Sequence, residues 1–500
     1  MTKDAVAGHP HASRKGREDA TGGEHVPDPR RWSILGVTLV VGFMSLLDVT
    51  IVNVAIPSMR EGLGATAAQI QWVVSGYALA FGLVLVTGGR LGDAYGRRRL
   101  MLLGLTGFIL SSAAVGLAPS TPFVVAARLA QGISAGFLTP QSSGLIQQLF
   151  RGAERGRAFG LFGMTVALSS ALGPILGGAI IGIAGEESGW RWLFLVNVPI
   201  GLAALVAIAR LVPANPAGDG DIRGDQRPRL DVRGALLLGG GVLCLLYPLV
   251  SLEGGARWPL VLLVGAPPLL WAFARWELRL GRRGGQPLLD VDLLRGVPGY
   301  ASGLAVGSLY FMGFTGIFLV LSVFLQDGRD LSPLQTGLLL TPFALGAAVT
   351  ARPAGRLVST LHRKLTVGAI VWMMSGILVV ALLVPGLTDT ALVWLLLAGL
   401  LFSGLGAGGV ISPNFTLTLA EVPPRMGGAA GGALQTGQRI GSSLGAAMLI
   451  TVYEVVASAV DADRGLQAAL TTSLLVLSAA LAMAVWSLRR EGEPREPASA

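Results

Sequence analysis

The chain has 500 residues, of which 52% are hydrophobic and 13% are charged, and its mean hydropathy is +0.64. Soluble domains carry about 25% charged residues, so this composition excludes a soluble protein and indicates a helical membrane protein. The formal charge of +9 does not indicate nucleic-acid binding, because basic residues gather in loops that flank apolar segments. The single cysteine, Cys244, cannot form an internal disulfide, and the sequence has no metal-ligand spacing.

Fourteen apolar segments follow the polar N-terminal tail, and each is long enough to cross about 30 Å of hydrocarbon. They predict an all-α polytopic membrane protein with 14 transmembrane helices. Lys and Arg concentrate in the tails and in alternate loops, which places both termini in the cytoplasm. The predicted helices are 33–57, 70–89, 99–118, 122–148, 158–184, 190–211, 234–252, 258–275, 299–325, 332–354, 365–385, 389–413, 429–455 and 466–487.

Two charged residues lie inside predicted spans of the first half. Asp48 is near the middle of the apolar run 32–57, where an ionised carboxylate is costly unless it is paired, hydrated or protonated. Protonation removes that cost, so Asp48 predicts a proton-coupling site. Arg128 lies in the fourth predicted helix, and a buried arginine needs a carboxylate or backbone acceptors. We expect it to pair with Asp48, and the alternative is that it binds only helix carbonyls.

An internal repeat relates the two ends of the chain. Residues 89–98 (GRLGDAYGRR) return in degenerate form as residues 355–364 (GRLVSTLHRK). The first six predicted helices therefore repeat as the last six, with two inserted between them, in a 6 + 2 + 6 plan. Like-oriented repeats around a midplane cavity are typical of transporters. Phe314 occupies the position in the second repeat that is equivalent to Asp48 in the first. We therefore expect proton chemistry in the first half of the chain and a cavity shaped mainly by the second half.

This plan predicts six regions along the chain. They are a disordered cytoplasmic tail (1–31), an N-terminal six-helix bundle (32–212), a cytoplasmic linker (213–233), two inserted helices with a loop (234–298), a C-terminal six-helix bundle (299–488) and a disordered tail (489–500).

Five sequence elements, in order along the first half, carry a family resemblance. The elements are residues 47–57 (LDVTIVNVAIP), 89–99 (GRLGDAYGRRR), 128–132 (RLAQG) with Gly136, 173–178 (GPILGG) and 190–199 (WRWLFLVNVP). With these elements, the chain resembles a transporter of the major facilitator superfamily, in the fourteen-helix drug:proton antiporter subfamily of the QacA/EmrB type.

The second element has a physical interpretation of its own, and the resemblance implies a role for the fourth. In the second, Asp93 lies near a helix end and among arginines, so an Asp–Arg pair or a helix N-terminus would hold the two halves together, and the alternative is a charged turn that only sets topology. The residues of this cytoplasmic latch are Gly89, Asp93, Gly96 and Arg97. The fourth element marks exporters of the superfamily, and its small residues let helices pack closely. Its residues are Gly173, Pro174, Gly177 and Gly178.

Polar residues within the predicted helices are candidates for the substrate cavity, although each could instead form interhelical hydrogen bonds or anchor a helix at the interface. They are Asn53, Trp72, Tyr77, Gln141, Tyr310, Asn414, Gln438 and Arg439. Arg439 is the hardest to place, since it could contact substrate or pair with Glu454 or Glu421.

These observations predict proton-coupled efflux of small amphipathic compounds, such as drugs, antibiotics or secondary metabolites, by alternating access. The chain has no P-loop, nucleophile–base set or metal set, so we expect no enzymatic activity and no cofactor besides the proton gradient. Expected partners are membrane lipid, protons and a small-molecule substrate, but not nucleic acid. We expect a monomer in the cell membrane, with a periplasmic adaptor only if the cell has an outer membrane. Alternatives are export of one specific lipid, siderophore or metabolite, and a non-transporting sensor.

Overall fold

The computed structural model describes residues 27–185, 187–213, 231–253, 258–285, 287–290 and 293–491. The predicted tails and linker (1–31, 213–233 and 489–500) lie largely outside these residues. The helices in chain order are α1 (Arg31–Leu63), α2 (Ala67–Tyr95), α3 (Arg97–Gly116), α4 (Thr121–Leu149), α5 (Gly152–Ala184), α6 (Gly189–Leu195), α7 (Asn197–Leu211), α8 (Val232–Glu253), α9 (Ala266–Arg282), α10 (Leu293–Gly296), α11 (Tyr300–Asp327), α12 (Pro333–Leu361), α13 (Arg363–Leu383), α14 (Asp389–Thr418), α15 (Gly427–Ala459) and α16 (Ala462–Glu491). Two 3₁₀ segments, Trp258–Gly265 and Pro424–Met426, precede α9 and α15.

The predicted all-α class is confirmed, but the prediction of fourteen membrane-spanning helices in a 6 + 2 + 6 plan is wrong. Twelve helices in the described part of the chain are long and apolar enough to cross a membrane. The predicted spans 122–148 and 332–354 fall on α4 and α12, which are long but too polar to belong to that set. In α4, Arg128 and several glutamines point into the protein, and α12 carries three prolines and two arginines.

The internal repeat is visible in the way that equivalent helices begin. At the start of α2, Thr66 and Gln69 form a capping box, in which each side chain bonds the backbone of the other. Ser332 and Gln335 form the same box at the start of α12. These reciprocal bonds satisfy N–H groups that have no partner within the helix, and they give the two halves a common local geometry.

The two halves meet along two seams at one end of the molecule, which we call the Asp93 end and define by Gly89, Asp93, Arg97 and Gly428. Glycines bring the helix backbones together there. A Cβ on Gly89 would collide with the carbonyl of Gly428, so α2 and α15 touch backbone to backbone. On the other seam, between α5 and α12, a Cβ on Gly156 would collide with the carbonyl of Gly355. The halves are therefore closed against each other at this end.

The helices between the two halves pack on one side of the molecule. Val242 and Leu246 of α8 form a cluster with Leu79 of α2, and Ile440 of α15 packs against it. A Cβ on Gly82 of α2 would lie 2.9 Å from a methyl of Leu246. The α8–α9 pair thus covers the seam between α2 and α15.

Candidate functional site

Asp48 of α1 and Arg128 of α4 form an ion pair in the interior of the first half. Their side chains are 0% and 1% exposed, and Nη1 of Arg128 donates to Oδ2 of Asp48. Nε of Arg128 donates to the carbonyl of Val73 over 3.1 Å. The structure therefore brings together the two buried charges that the sequence singled out, and Arg128 binds both a carboxylate and a helix carbonyl.

Three further polar residues complete the surroundings of this pair. Gln131 and Asn197 donate to Oδ1 of Asp48 over 3.0 Å and 3.2 Å, and both also donate to the hydroxyl of Ser112, over 2.6 Å and 3.3 Å. The carboxylate of Asp48 thus accepts three hydrogen bonds, one of them charge-assisted because its donor is a cation. Sequence reasoning did not assign these three residues.

Aromatic rings enclose the cation of the pair. The guanidinium carbon of Arg128 lies 4.2 Å from the centroid of the Tyr77 ring and 5.4 Å from that of Phe194. Both rings are buried, and the hydroxyl of Tyr77 donates to the carbonyl of Ser45 over 3.1 Å. Cation–π contacts of this kind strengthen when water is excluded, so they hold the guanidinium in place beside Asp48.

Asp93, at the end of α2, binds the start of α15 in the other half. Its side chain is fully buried and accepts hydrogen bonds from the backbone N–H groups of Gly428 (3.1 Å) and Ala429 (2.8 Å). Arg97 donates to the same carboxylate over 2.7 Å. A carboxylate at a helix N-terminus satisfies unpaired N–H groups and interacts favourably with the helix dipole. The contact therefore joins the two halves electrostatically.

Arg97 extends this junction beyond Asp93. Its Nη2 also donates to the carbonyl of Pro424 over 2.7 Å, and its Nη1 donates to Gln148 over 2.8 Å. The turn that positions Arg97 passes through Gly96, whose φ is +97°, a value that favours glycine. All four residues of the predicted latch thus lie at the Asp93 end.

Gly173 of α5 packs against α1 close to the ion pair. A Cβ on Gly173 would collide with the side chain of Thr50, two residues along α1 from Asp48. The hydroxyl of Thr50 donates to the carbonyl of Ser169 over 3.1 Å, which ties the two helices at the same level. The sequence also predicted a packing role for three neighbouring residues of α5. Gly177 is buried and Gly178 is half-buried, whereas the side chain of Pro174 is not among the described ones.

A cavity of about 470 Å³ lies between the two halves, beyond the α5–α12 seam. Small-molecule sites commonly occupy roughly 300–1,000 Å³ and combine apolar walls with a few polar groups. Rings from α11 and α12 form one wall of this cavity, and polar side chains of α15 project into it. The aromatic lining residues are Phe81, Phe162, Tyr310, Phe311, Phe314, Phe318, Phe343 and Phe415, and the larger polar ones are Gln435, Gln438 and Arg439.

The predicted cavity residues divide between this cavity and the helix interfaces. Tyr310, Gln438 and Arg439 line the cavity. The others with described side chains contact neighbouring helices instead. Trp72 packs on Tyr247 with 5.7 Å between ring centroids, and Tyr77 covers Arg128. Gln141 donates to the carbonyl of Gly88 over 2.9 Å, and Asn414 donates to the carbonyl of Gly303 over 3.1 Å. The side chain of Asn53 lies outside the description.

Arg439 lies with its guanidinium carbon 4.7 Å from the centroid of the Phe81 ring. Within the described residues it forms no ion pair with Glu421, Glu454 or any other carboxylate. The sequence left open whether this arginine contacts substrate or pairs with a glutamate, and the structure gives it an aromatic neighbour and a place in the cavity wall.

The molecule has two similar helix bundles, which close on each other at one end and enclose a cavity farther along. This architecture defines a multi-pass membrane transporter. The chain belongs to the major facilitator superfamily, whose family model matches residues 38–446. It is 38% identical over 438 residues to the probable actinorhodin transporter of Streptomyces coelicolor, covering 87% of this chain and 74% of that protein. It is also 38% identical over 450 residues to the puromycin resistance protein pur8 of Streptomyces alboniger, covering 89% and 86%.

A solved structure shares the fold. The human organic anion transporter MFSD10 matches with a TM-score of 0.68 at 19% sequence identity, covering 91% of this chain and 100% of that one. At this identity the likeness concerns the fold alone.

Proposed function

We propose that this transporter exports small amphipathic compounds, such as drugs, antibiotics or secondary metabolites, across the cytoplasmic membrane in exchange for protons. The observation that carries the proposal is the buried Asp48–Arg128 pair beside the cavity. Leu46, Val49 and Thr50 of α1 line the cavity, while Asp48 faces the other way, toward Arg128. Asp48 and the cavity therefore lie on different faces of the same helix, α1. A titratable group in this position is well placed to link proton binding to substrate binding.

The pair supplies a physical reason for a conformational response to a proton. Protonation of Asp48 would remove its charge and leave the buried guanidinium of Arg128 without a counter-ion, which is strongly unfavourable. An arrangement in which α1 and α4 shift and Arg128 gains other partners would then be favoured. A proton changes the equilibrium between two arrangements only through such a difference in free energy.

The contact between α1 and α5 offers a route from the proton site to the seam between the halves. Gly173 of α5 lies against Thr50 of α1, and farther along α5 the backbone of Gly156 touches Gly355 of α12. A shift of α1 therefore displaces a helix that forms part of the closed seam. We assign Gly173, Gly177 and Gly178 to this packing role.

The Asp93 end is the proposed cytoplasmic latch. Three consecutive arginines, Arg97, Arg98 and Arg99, begin α3 there, and the positive-inside rule places such clusters on the cytoplasmic side. The structure would then correspond to a state closed to the cytoplasm, in which Asp93 holds α15. Opening would require the loss of those contacts.

The relatives support export as the direction. One is named as a probable actinorhodin transporter and the other as a puromycin resistance protein. Resistance to a compound is consistent with its removal from the cell, and both relatives match at 38% identity over most of this chain.

The test uses the full chain in proteoliposomes with an imposed pH gradient, and follows lumenal pH after addition of actinorhodin or puromycin. We expect compound-dependent proton flux in the parent and its loss in Asp48→Asn. Asp389→Asn is the matched control, because Asp389 also pairs with an arginine, Arg329, at 2.6 Å, but its side chain is 81% exposed.

Two results would contradict the proposal. Proton flux that survives Asp48→Asn at the parent rate would place the coupling site elsewhere. Compound movement that proceeds at the same rate with and without the pH gradient would mean that protons do not drive export.

A further inference from the structure

The cavity wall formed by α15 is rich in hydrogen-bond donors. Gln435, Gln438, Arg439 and Ser442 recur at intervals of three and four residues, which places them on one face of the helix, and all four line the cavity. Thr315 of α11 and Ser442 share a hydrogen bond of 3.1 Å, so the two helices are joined at this level. The polar face of α15 thus adjoins the cavity-lining face of α11.

Arg439 is the one charged side chain among the described residues that line the cavity. One side of its guanidinium lies against Phe81, and it forms no ion pair with a described carboxylate. An arginine removed from bulk water is stabilised by a counter-ion, and its planar guanidinium suits two-pronged binding of a carboxylate. The electrostatics of this cavity therefore favour an anion over a cation.

Two buried polar atoms on other cavity-lining residues have no hydrogen-bond partner within the described part of the chain. They are the hydroxyl of Tyr310 and Nε2 of Gln435, on side chains that belong to residues only 1% and 7% exposed. A buried polar atom without a partner is unfavourable, because it has lost its hydrogen bonds to water and gained none in return. Both residues line the cavity, so after a small side-chain rotation that exposes these atoms, acceptor oxygens of a bound compound would supply the missing bonds.

The neighbouring wall, formed by α11 and α12, is aromatic. The ring of Phe314 is near-parallel to those of Tyr310 and Phe343, with 5.3 Å between centroids in each case. Phe318 meets Phe343 edge to face at 5.0 Å. Such a wall favours a ligand with rings of its own, because ring–ring contacts add to the burial of apolar area.

We propose that the cavity selects a planar aromatic anion, with its acidic group on Arg439, its acceptor oxygens toward Gln435 and Tyr310, and its rings against α11. Carboxylates and phenolates attached to fused rings have this chemistry. The inference rests on the proposed function, because it takes this cavity to be the transport site, and it adds the charge and shape of the compound.

The experiment measures equilibrium binding to the purified full chain in lipid nanodiscs, with no pH gradient. The probes are anthracene carboxylate, its primary carboxamide and the aminomethyl analogue, which share one ring system and differ in charge. We expect the carboxylate to bind tightest. Arg439→Gln should weaken carboxylate binding by roughly tenfold to a hundredfold, since a hydrogen bond to a charged group contributes about 1.5–3 kcal/mol, and should leave the carboxamide within about twofold.

Two further variants separate charge from folding. Arg439→Lys should recover part of the carboxylate affinity, because it keeps the charge but not the planar geometry. Arg352→Gln is the matched control, since Arg352 is exposed and lies outside the cavity lining, and it should bind all three probes as the parent does. Carboxamide binding that is retained in Arg439→Gln shows that the variant is folded.

The proposal is overturned if the aminomethyl probe binds tightest, if the three probes bind equally, if none binds, or if Arg439→Gln leaves carboxylate binding unchanged. Because binding is measured without a gradient, these results are independent of proton coupling. Loss of charge selectivity with intact Asp48-dependent flux would refute the substrate class alone. Intact selectivity without such flux would refute the proposed coupling alone.

Discussion

The rings of Tyr77 and Phe81 lie parallel, with 6.1 Å between centroids and 6° between planes. Arg128 lies 4.2 Å from the first ring and Arg439 lies 4.7 Å from the second. Since Arg128 also pairs with Asp48, a continuous row of contacts runs from the buried carboxylate to the cavity wall. A displacement of Arg128 therefore disturbs the support on which Arg439 rests.

Replacement of Phe81 tests this row. Phe81→Leu keeps the apolar bulk but removes the ring, and we expect binding of anthracene carboxylate to weaken by roughly fivefold, because a cation–π contact contributes about 1 kcal/mol. Nanodisc binding measures the change. Phe108→Leu is the control, since Phe108 is a fully buried ring in the same half and is not among the described rings that form a cation–π contact with either arginine. Equal weakening by the two variants would show that the effect is a general loss of packing.

The Asp48–Arg128 pair makes a prediction about stability. Asp48→Asn and Arg128→Gln should each destabilise the protein by about 3 kcal/mol, because each leaves a partner buried and uncompensated. The double variant should be less destabilised than the sum of the two, since no lone charge remains. Thermal unfolding of the three variants in detergent measures this. Additive losses would mean that the two side chains do not interact energetically.

The contact between Asp93 and α15 makes a prediction about conformation. Asp93→Ala removes the capping carboxylate, which contributes about 1 kcal/mol, so the closed state at this end should become roughly fivefold less favoured. Spin labels at Arg99→Cys and Ala420→Cys, in a Cys244→Ser background, report the separation of the halves. We expect an added population at longer distance.

The control for this measurement is Asp389→Ala, an exposed acidic residue in the first turn of α14. It should leave the distance distribution unchanged. A distribution in Asp93→Ala identical to that of the parent would show that the glycine contacts alone keep this end closed.

The packing of α5 on α1 gives a fourth prediction. Gly173→Ala should lower both thermal stability and proton flux, because its Cβ would overlap Thr50 and overpacking costs about 1–3 kcal/mol. Gly182→Ala is a matched change in the same helix, at a position with nothing within 4 Å, and should behave as the parent does. Thr50→Gly should partly rescue Gly173→Ala. Failure of that rescue would place the effect of Gly173 outside this contact.

Pairing of Asp48 with Arg128 could be predicted from sequence because few charges occur within apolar runs, and each demands a partner. Gln131 and Asn197 lie in the sequence elements that carried the family resemblance, so a signal existed for them, but nothing in the sequence assigned them to Asp48. Ser112 carried no signal, since serines are common in membrane helices and mostly bond their own backbone.

The cavity shows why polarity alone is a weak guide. Gln141 and Asn414 are as polar as Gln438, yet they bond backbone carbonyls of neighbouring helices. Either environment satisfies a polar side chain in a membrane, so only the fold distinguishes them. The number of spans was overestimated for a related reason: the repeat and the segment lengths suggested spans at 122–148 and 332–354, where polar and charged side chains reduce the hydropathy of α4 and α12.

The α8–α9 pair makes the molecule asymmetric toward the surrounding lipid. It covers the α2–α15 seam with protein, whereas α12 presents exposed Leu345 and Val349 near the other seam, and α5 presents exposed Ile175. In a bilayer, acyl chains would therefore border the junction of the halves on the α5–α12 side. A compound dissolved among those chains would reach the junction laterally from that side alone, since protein covers the other.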